Sequence, residues 1–433
     1  IIDIGSDVSI PAGSVVIDIH DKWVYPAFIE PFSGYGLPKA SEKVKAEGPQ
    51  IESTKQGPYS WNQALHPEIK SHMLFTLKPD SAKKLRAAGF ANSISLSQDG
   101  IARGTAVAVS LSDGKDNELI LKKEVAACYS FNKGSSTQDY PGSQMGAIAL
   151  LRQTWYDAQW YSRSGHNENY NASLEKWTHN QNLLPYFEVN DKYEILRASE
   201  IGKEFGIEFI FKGAGNEYQR ATEISRVVSR IVIPVDLPNQ YDLSDPYDAM
   251  NVTLSDLKHW ELAVHNARIL DSLGVQIAFT ADGLDKVSDF IKNIRKMTSA
   301  GLDRRTALAA CTTNPADWFG LADKTGRLRE GMNADLLITT GDIFNAGTRI
   351  CENWSKGQRF IFEDASLPEL TGTYNLLLKG DEQYTLDIQL NTKGEYIAHV
   401  QYDSIKVKTT IKREGNNVRF VFYDSVKGFN IRL

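Results

Sequence analysis

The sequence predicts an α/β protein: a (β/α)8 TIM-like barrel with a small composite β-domain and an appended C-terminal antiparallel β-domain. Three observations predict it. Apolar strand-like runs and helix-period runs alternate from Trp23 to about Leu321. Residues 1–24 instead alternate apolar and polar side chains, with a turn at Pro11-Ala12-Gly13. After about Leu367 the chain changes to period-2 runs separated by turns. Strands alternating with helices favour a parallel sheet with helical crossovers, and roughly 250 residues or more of that pattern suit a closed barrel.

Each element has its own pattern. Tyr186–Asn190 reads as a strand and Glu194–Phe205 as a helix, with Ile195, Ala198, Ile201, Gly202 and Phe205 on one face. Glu208–Lys212, Ile231–Val235 and Val275–Thr280 read as strands. Ala221–Ser229, Leu254–Leu273 and Val287–Ala300 read as the helices between and after them. TGTYNLLLKG, EQYTLDIQL, EYIAHVQYD, IKVKTTIKRE and NNVRFVFYD form an antiparallel meander, with turns at Lys393-Gly394 and Gly415-Asn416. One apolar face of it carries Tyr384, Leu386, Ile388 and Leu390. The expected domains are 1–24 plus 322–365, 25–321, and 366–433.

Composition bounds the partners. Hydrophobic residues make up 42% and charged residues 24% of the 433 residues, ordinary for a globular chain. The net charge of −6 and dispersed basic residues argue against nucleic acid or an anionic membrane as main partner. No apolar run approaches the roughly 20 residues that cross a bilayer. The first residue lies inside a strand-like run with no initiator Met, so the natural N-terminus is expected to lie upstream. Cys128, Cys311 and Cys351 lack zinc-ligand spacing and read as buried thiols.

Two segments carry a resemblance. Thr312–Leu337, TTNPADWFGLADKTGRLREGMNADLL, has an Asn-Pro pair, a short helix with Trp318 and Phe319, and turn glycines at 320, 326 and 331. Lys22–Gly36 reads KWVYPAFIEPFSGYG. These resemble the C-terminal signature and the first barrel strand of the amidohydrolase superfamily of metal-dependent hydrolases. The resemblance implies the barrel and a small β-domain built from residues 1–24 together with Ala334–Thr340 and residues around Gln358–Glu363. It also implies hydrolysis of carbon–nitrogen bonds other than peptide bonds. Family members bind divalent metal through a His-x-His pair on the first strand and histidines on strands 5 and 6. A lysine or glutamate on strand 4 and an aspartate on strand 8 complete the set. Imidazoles and carboxylates hold such an ion with one position open, and the ion acidifies bound water.

Here the signature departs from the family. Glu30 stands at the aspartate position of strand 1, and Phe32 and Gly34 stand at the two histidine positions. Glu188 and Asn216 fall where the strand 5 and strand 6 histidines are expected and are the candidate substrate-binding residues. Asp282, in Thr280-Ala281-Asp282-Gly283, matches the strand 8 aspartate and is the candidate catalytic residue. Lys122 and Lys123 are the candidates for strand 4. No metal ligand is assigned. Two carboxylates and an amide near Asp282 would suit a single hard divalent ion such as magnesium or calcium.

The eight histidines, at 20, 66, 72, 166, 179, 259, 265 and 399, form no His-x-His pair and read as solvated or structurally satisfied. Leu37–His72 reads as a long loop after the first strand, suited either to covering the barrel mouth or to a solvated insertion. Lys133–Gly142 is a second insertion, leading into the aromatic helix Gln153–Tyr161.

Three functions remain in view. The first is a degenerate amidohydrolase module, without the dinuclear site, serving as scaffold or ligand-binding half of a larger protein. The second is an active hydrolase with a rearranged site using Asp282. The third is a peptide- or sugar-binding protein. The block Tyr140–Tyr161 resembles large two-part Bacteroidetes proteins of this superfamily. That resemblance implies a cell-envelope or periplasmic location, and a homodimer or a second amidohydrolase barrel as partner.

Overall fold

The computed structural model describes residues 1–40, 49–362, 370–378, 382–390, 396–402, 405–414, 417–424 and 429–432. Strand β1 (Trp23–Pro26) belongs to a small sheet. The next eight strands form the barrel sheet in sequence order: β2 (Phe28–Ser33), β3 (Phe90–Ser95), β4 (Ala102–Ser110), β5 (Ile120–Ser130), β6 (Leu184–Glu188), β7 (Ile210–Lys212), β8 (Arg230–Pro234) and β9 (Gln276–Thr280).

The expectation of strand–helix alternation fails at one place. β4 runs antiparallel to both β3 and β5, whereas the other barrel pairings are parallel. The reason is connection length. Only residues 96–101 join β3 to β4, and only residues 111–119 join β4 to β5. A parallel crossover needs about a dozen residues or more, so a reversed strand is the available solution. The start of β4 therefore lies at the end of the barrel where the other strands finish.

The barrel is filled by Ile29, Phe32, Ile94, Ala106, Cys128, Tyr186, Ile210, Val232 and Ala278. Phe319 and Leu321 from the signature segment join the same core, and Phe319 meets Tyr186 edge-on at 5.5 Å. No described ladder joins β9 back to β2. Glu30 spans that seam instead. Its buried carboxyl group accepts from the Thr280 hydroxyl, from Ala281 N at 2.8 Å, and from Phe32 N at 3.0 Å.

Part of the Leu37–His72 loop is tied to the scaffold. His66 N donates to Ala102 O at 2.7 Å, and Thr105 N donates to Ile69 O at 2.9 Å. Gln63 N donates to Gln138 Oε1 at 2.6 Å, which joins this loop to the insertion after β5. The helix expected over Leu254–Leu273 is broken into Leu254–Leu262, a 3₁₀ turn and Asn266–Ser272. His259 and His265 thus do not share a helix.

The small sheet has the order β1, β10 (Leu336–Thr339), β11 (Ile350–Ser355), β12 (Gln358–Ile361). The strands expected earlier, in residues 1–22, are not formed. Ile2 and Ile4, and Val8 and Ile10, flank single polar residues but are exposed, and no described strand pairs with them. Alternation supplies a strand face only where a neighbour accepts it.

The C-terminal meander comprises β13 (Gly372–Leu378), β14 (Glu382–Leu390), β15 (Tyr396–Tyr402), β16 (Ile405–Glu414), β17 (Asn417–Asp424) and β18 (Phe429–Arg432). All its pairings are antiparallel, and β18 adds a sixth strand to the five expected. Tyr384, Leu386 and Ile388 are buried with Ala398, Val400, Phe420 and Phe422. The turns expected at 393–394 and 415–416 lie outside the described residues, as do the 365/366 domain boundary and the end of the segment around Gln358–Glu363.

Candidate functional site

The mouth of the barrel is built where β6, β7 and β9 end and β4 begins. Glu188 is the last residue of β6 and Lys212 the last of β7, and they are neighbours in the parallel register. Asp282 follows β9 by two residues, and its N–H donates to Thr280 Oγ1 at 3.0 Å. Arg103 is the second residue of the reversed β4. Four charges thereby converge from four separate strands.

They alternate in sign. Arg103 Nη1 lies 2.6 Å from Glu188 Oε2. Glu188 Oε1 lies 3.8 Å from Lys212 Nζ, which lies 2.7 Å from Asp282 Oδ2. Side-chain exposure is 2% at Arg103, 19% at Glu188, 12% at Lys212 and 26% at Asp282, so the ion pairs link a core guanidinium to a carboxylate at the mouth. A guanidinium so deeply buried must be paired, and Arg103 also donates to Gly100 O at 2.9 Å and Ser130 Oγ at 3.0 Å. Gln98 Nε2 reaches Asp282 Oδ1 at 3.4 Å.

The positions expected to carry histidines form the floor. Phe32 packs edge-on against Tyr186 at 5.7 Å, and the Lys212 ammonium sits 5.2 Å from the Phe32 ring centroid. A methyl group at Gly34 would meet Gln98 Oε1 at 3.6 Å, an ordinary contact.

Burial sets the titration of the surrounding groups. Desolvation pushes Glu30 up to about 8 against the pull of its three hydrogen bonds, and Asp282 adds repulsion. It also pushes the Cys128 thiol up to about 12, so this cysteine beneath the site is an inert core group. Asp236, after β8, is raised by burial first and then by Asp285 and Asp282.

Of the residues expected from sequence, Glu188 and Asp282 come together through a shared ammonium. Asn216 does not join them: its Oδ1 accepts from Lys192 N at 3.0 Å and ties two loops together. Lys122 and Lys123 lie in the first half of β5, away from the mouth, because a strand 4 residue at the mouth must sit near Ser130. Lys122 Nζ instead donates to Phe319 O at 3.3 Å. Four of the eight histidines are engaged elsewhere: His259 stacks on Tyr218, His166 bonds Tyr161 O, His265 bonds Ala300 O, and His179 lies 3.8 Å from Glu124. Arg103, Lys212 and Gln98 were not anticipated. A lone arginine in the apolar run IARGTAVAV and a lysine closing FIFK were the available signals.

Residues 263–370 match the amidohydrolase family. The amidohydrolase from Thermotoga maritima MSB8 is similar over 83% of this chain and 92% of its own, at 18% identity and a TM-score of 0.64. That similarity shows a shared TIM-like barrel fold. A β-aspartyl dipeptidase from Fervidobacterium islandicum AW-1, solved with a β-Asp-Leu dipeptide, covers 86% of this chain and 92% of its own at 16% identity and a TM-score of 0.45. No curated protein matches the chain.

The metal that amidohydrolases usually bind does not fit the side chains present. Phe32 and Gly34 offer no donor, Asn216 is committed to Lys192, and an ammonium stands between Glu188 and Asp282. Among the described residues, no group of three or more His, Cys, Asp and Glu is placed to hold an ion.

Proposed function

We propose that this chain is a degenerate amidohydrolase module, in which fixed side-chain cations stand where the family binds metal, and that it serves as the scaffold or ligand-binding half of a larger hydrolase. The observation that carries the reading is the position of Lys212, 2.7 Å from Asp282 and 3.8 Å from Glu188. A carboxylate that takes a proton from attacking water must be free to accept it. Asp282 is instead paired with an ammonium, and its backbone is held by Thr280. A lysine ammonium supplies charge but has no vacant coordination site, so it does not acidify a water as a bound divalent ion does.

One observation favours ligand binding over a purely structural role. Trp61 and Tyr140 stack at 5.9 Å and 17° on the loops that follow β2 and β5, and both rings remain exposed. Loops on this end of a barrel carry its ligand contacts, and flat exposed aromatic pairs suit peptide or sugar rings.

The test combines elemental analysis with turnover of prolyl and β-aspartyl dipeptides and cyclic amides, with and without added zinc or manganese. The proposal expects no stoichiometric metal and no hydrolysis. Turnover that disappears in Asp282→Ala, or one ion per chain lost in that variant, would overturn it.

A further inference from the structure

The C-terminal sheet is apolar on one face and polar on the other. Its ladders set Tyr374 beside Leu386, Leu386 beside Val400, Val400 beside Val407, Ile411 beside Phe420 and Phe422 beside Ile431. Side chains opposite one another in a ladder share a face, and so do residues two or four apart in a strand, so all of these point to one side. The other side carries Thr385, Gln401 and Lys406 in one row and Asp387, His399 and Lys408 in the next.

The apolar face is concave. β14 and β17 are three steps apart in the sheet, which is about 14 Å if the sheet is flat. The rings of Tyr384 and Phe422 on those strands nevertheless meet at 5.5 Å. β13 and β17 are four steps apart, about 19 Å in a flat sheet. Yet Tyr374 and Leu376 from the first and Val418 and Phe420 from the second line one cavity of about 440 Å³, together with Leu386 and Ile388. Leu386 and Ile388 are buried, Leu376 and Val418 are partly buried, and Tyr374 is exposed, which gives the cavity a floor, walls and a rim. The ladder position opposite Ile388 is Gly372, where a built methyl meets nothing nearer than the Tyr374 ring at 3.9 Å, so this end of the face lacks a side chain.

We infer that this cavity binds the hydrocarbon chain of a monomeric amphiphile and leaves the polar head in water. Size and lining select that occupant. The volume lies in the range of small-molecule sites. A cavity of about 150 Å³ takes one benzene, so this one takes on the order of 12–18 carbons. Among the described residues that line it none is charged. Its polar side-chain groups are the Asn375 amide and the Tyr374 hydroxyl, which donates to Leu370 O at 3.1 Å. A segment of protein fits less well. A helix is about 10–12 Å across and would fill this volume within a single turn. An extended strand would bring N–H and C=O groups against a lining with one amide and one hydroxyl already engaged. This inference is independent of the reading of the barrel mouth.

The test is calorimetric titration of the full chain with octanoate, decanoate and dodecanoate below their micelle concentrations, and with longer saturated acids by competition. One site per chain is expected. Affinity should rise about fourfold per methylene from octanoate to dodecanoate and level off once the cavity is full. Dodecanol should match dodecanoate within a few-fold, since no charged side chain lines the cavity. Val418→Trp should abolish binding by filling the cavity, and Gln401→Trp on the polar face should leave it unchanged. A dodecanoate carrying a diazirine at its far end, photolysed on wild type, should place its adducts within residues 370–388 or 417–422. That mapping decides the matter even if Val418→Trp does not fold. The inference is overturned by the absence of saturable binding, by adducts elsewhere, or by an affinity that climbs at the same rate through eicosanoate. Binding to phosphatidylcholine vesicles with none to the monomeric acids overturns it as well.

Discussion

Lys212 Nζ lies 2.7 Å from Asp282 Oδ2, and the same ammonium is 3.8 Å from Glu188 Oε1. Two carboxylates from the fifth and eighth barrel strands thus share one cation from the sixth. Replacing Lys212 with Met removes the countercharge of Asp282, while Glu188 keeps Arg103 at 2.6 Å. The lost pairing is partly exposed, so the cost at pH 7 is expected to be about 1–3 kcal/mol, below that of a fully buried pair. Urea midpoints of wild type and Lys212→Met at pH 7 decide this. A gap that is absent sinks the account.

At the other end of the ion-pair chain the dielectric penalty is larger. Arg103 is 2% exposed and meets Glu188 at 2.6 Å. Arg103→Met should cost about 3–5 kcal/mol, because Glu188 keeps its charge and loses its closest partner. Glu188→Gln added to Arg103→Met should recover part of that loss. Arg103→Lys should not rescue fully, since one ammonium cannot span Gly100 O, Ser130 Oγ and Glu188 together. A double-mutant cycle supplies the number, and strict additivity of Arg103→Met and Glu188→Gln would show that the pair is not coupled.

These two relationships mark the limit of what the sequence discloses. The barrel strands from β6 onward were legible because each is a short apolar run between turn or helix signals, and Asp282 was legible through its Thr-Ala-Asp-Gly context. Glu188 was singled out because the resemblance puts it at the strand 5 histidine position, inside a strand expected over Tyr186–Asn190 that ends at Glu188 itself. Its partners were not legible, because Arg103 and Glu188 are brought together by the reversal of β4, which depends on loop lengths rather than on local pattern. Lys122 and Lys123 were the candidates for the lysine role because strand 4 was sought by family position, and the structure brings Lys212 to the mouth from the sixth strand instead. Residues 1–22 erred in the opposite direction: alternation was present and a partner strand was not.

Glu30 makes stability depend on pH in an unusual direction. Its native value is about 8 against an ordinary 4.5, so the folded protein holds a proton there that the unfolded chain releases. A raised carboxyl contributes stability that is fully present below the unfolded value. It is lost as pH rises through the window from 4.5 to about 8, by at most about 1.4 kcal/mol per pH unit. Glu30→Gln stays neutral throughout and should flatten this slope, although it gives up an acceptor for Ala281 N and lowers stability in acid. Chemical denaturation from pH 5 to pH 8.5 reads the slope directly. Identical pH profiles for wild type and Glu30→Gln would mean that Glu30 is ionised in the native barrel.

Gly104 tests whether the loop after β2 is part of the scaffold. It has φ +78°, a left-handed conformation that costs an ordinary side chain about 1–2 kcal/mol. A methyl group there would also run into the Ile69 carbonyl, the acceptor for Thr105 N. That carbonyl is backbone, so it can yield only by moving the segment His66–Lys70 away from β4. Gly104→Ala is therefore expected to lose more than about 3 kcal/mol and to raise amide exchange at Thr105. The outward Gly206, with φ +70° and nothing near a built methyl, supplies the control: Gly206→Ala should show the backbone cost alone. Equal losses in the two variants would mean that the loop moves freely, and that its bonds to Ala102 and Thr105 do not hold it against the barrel.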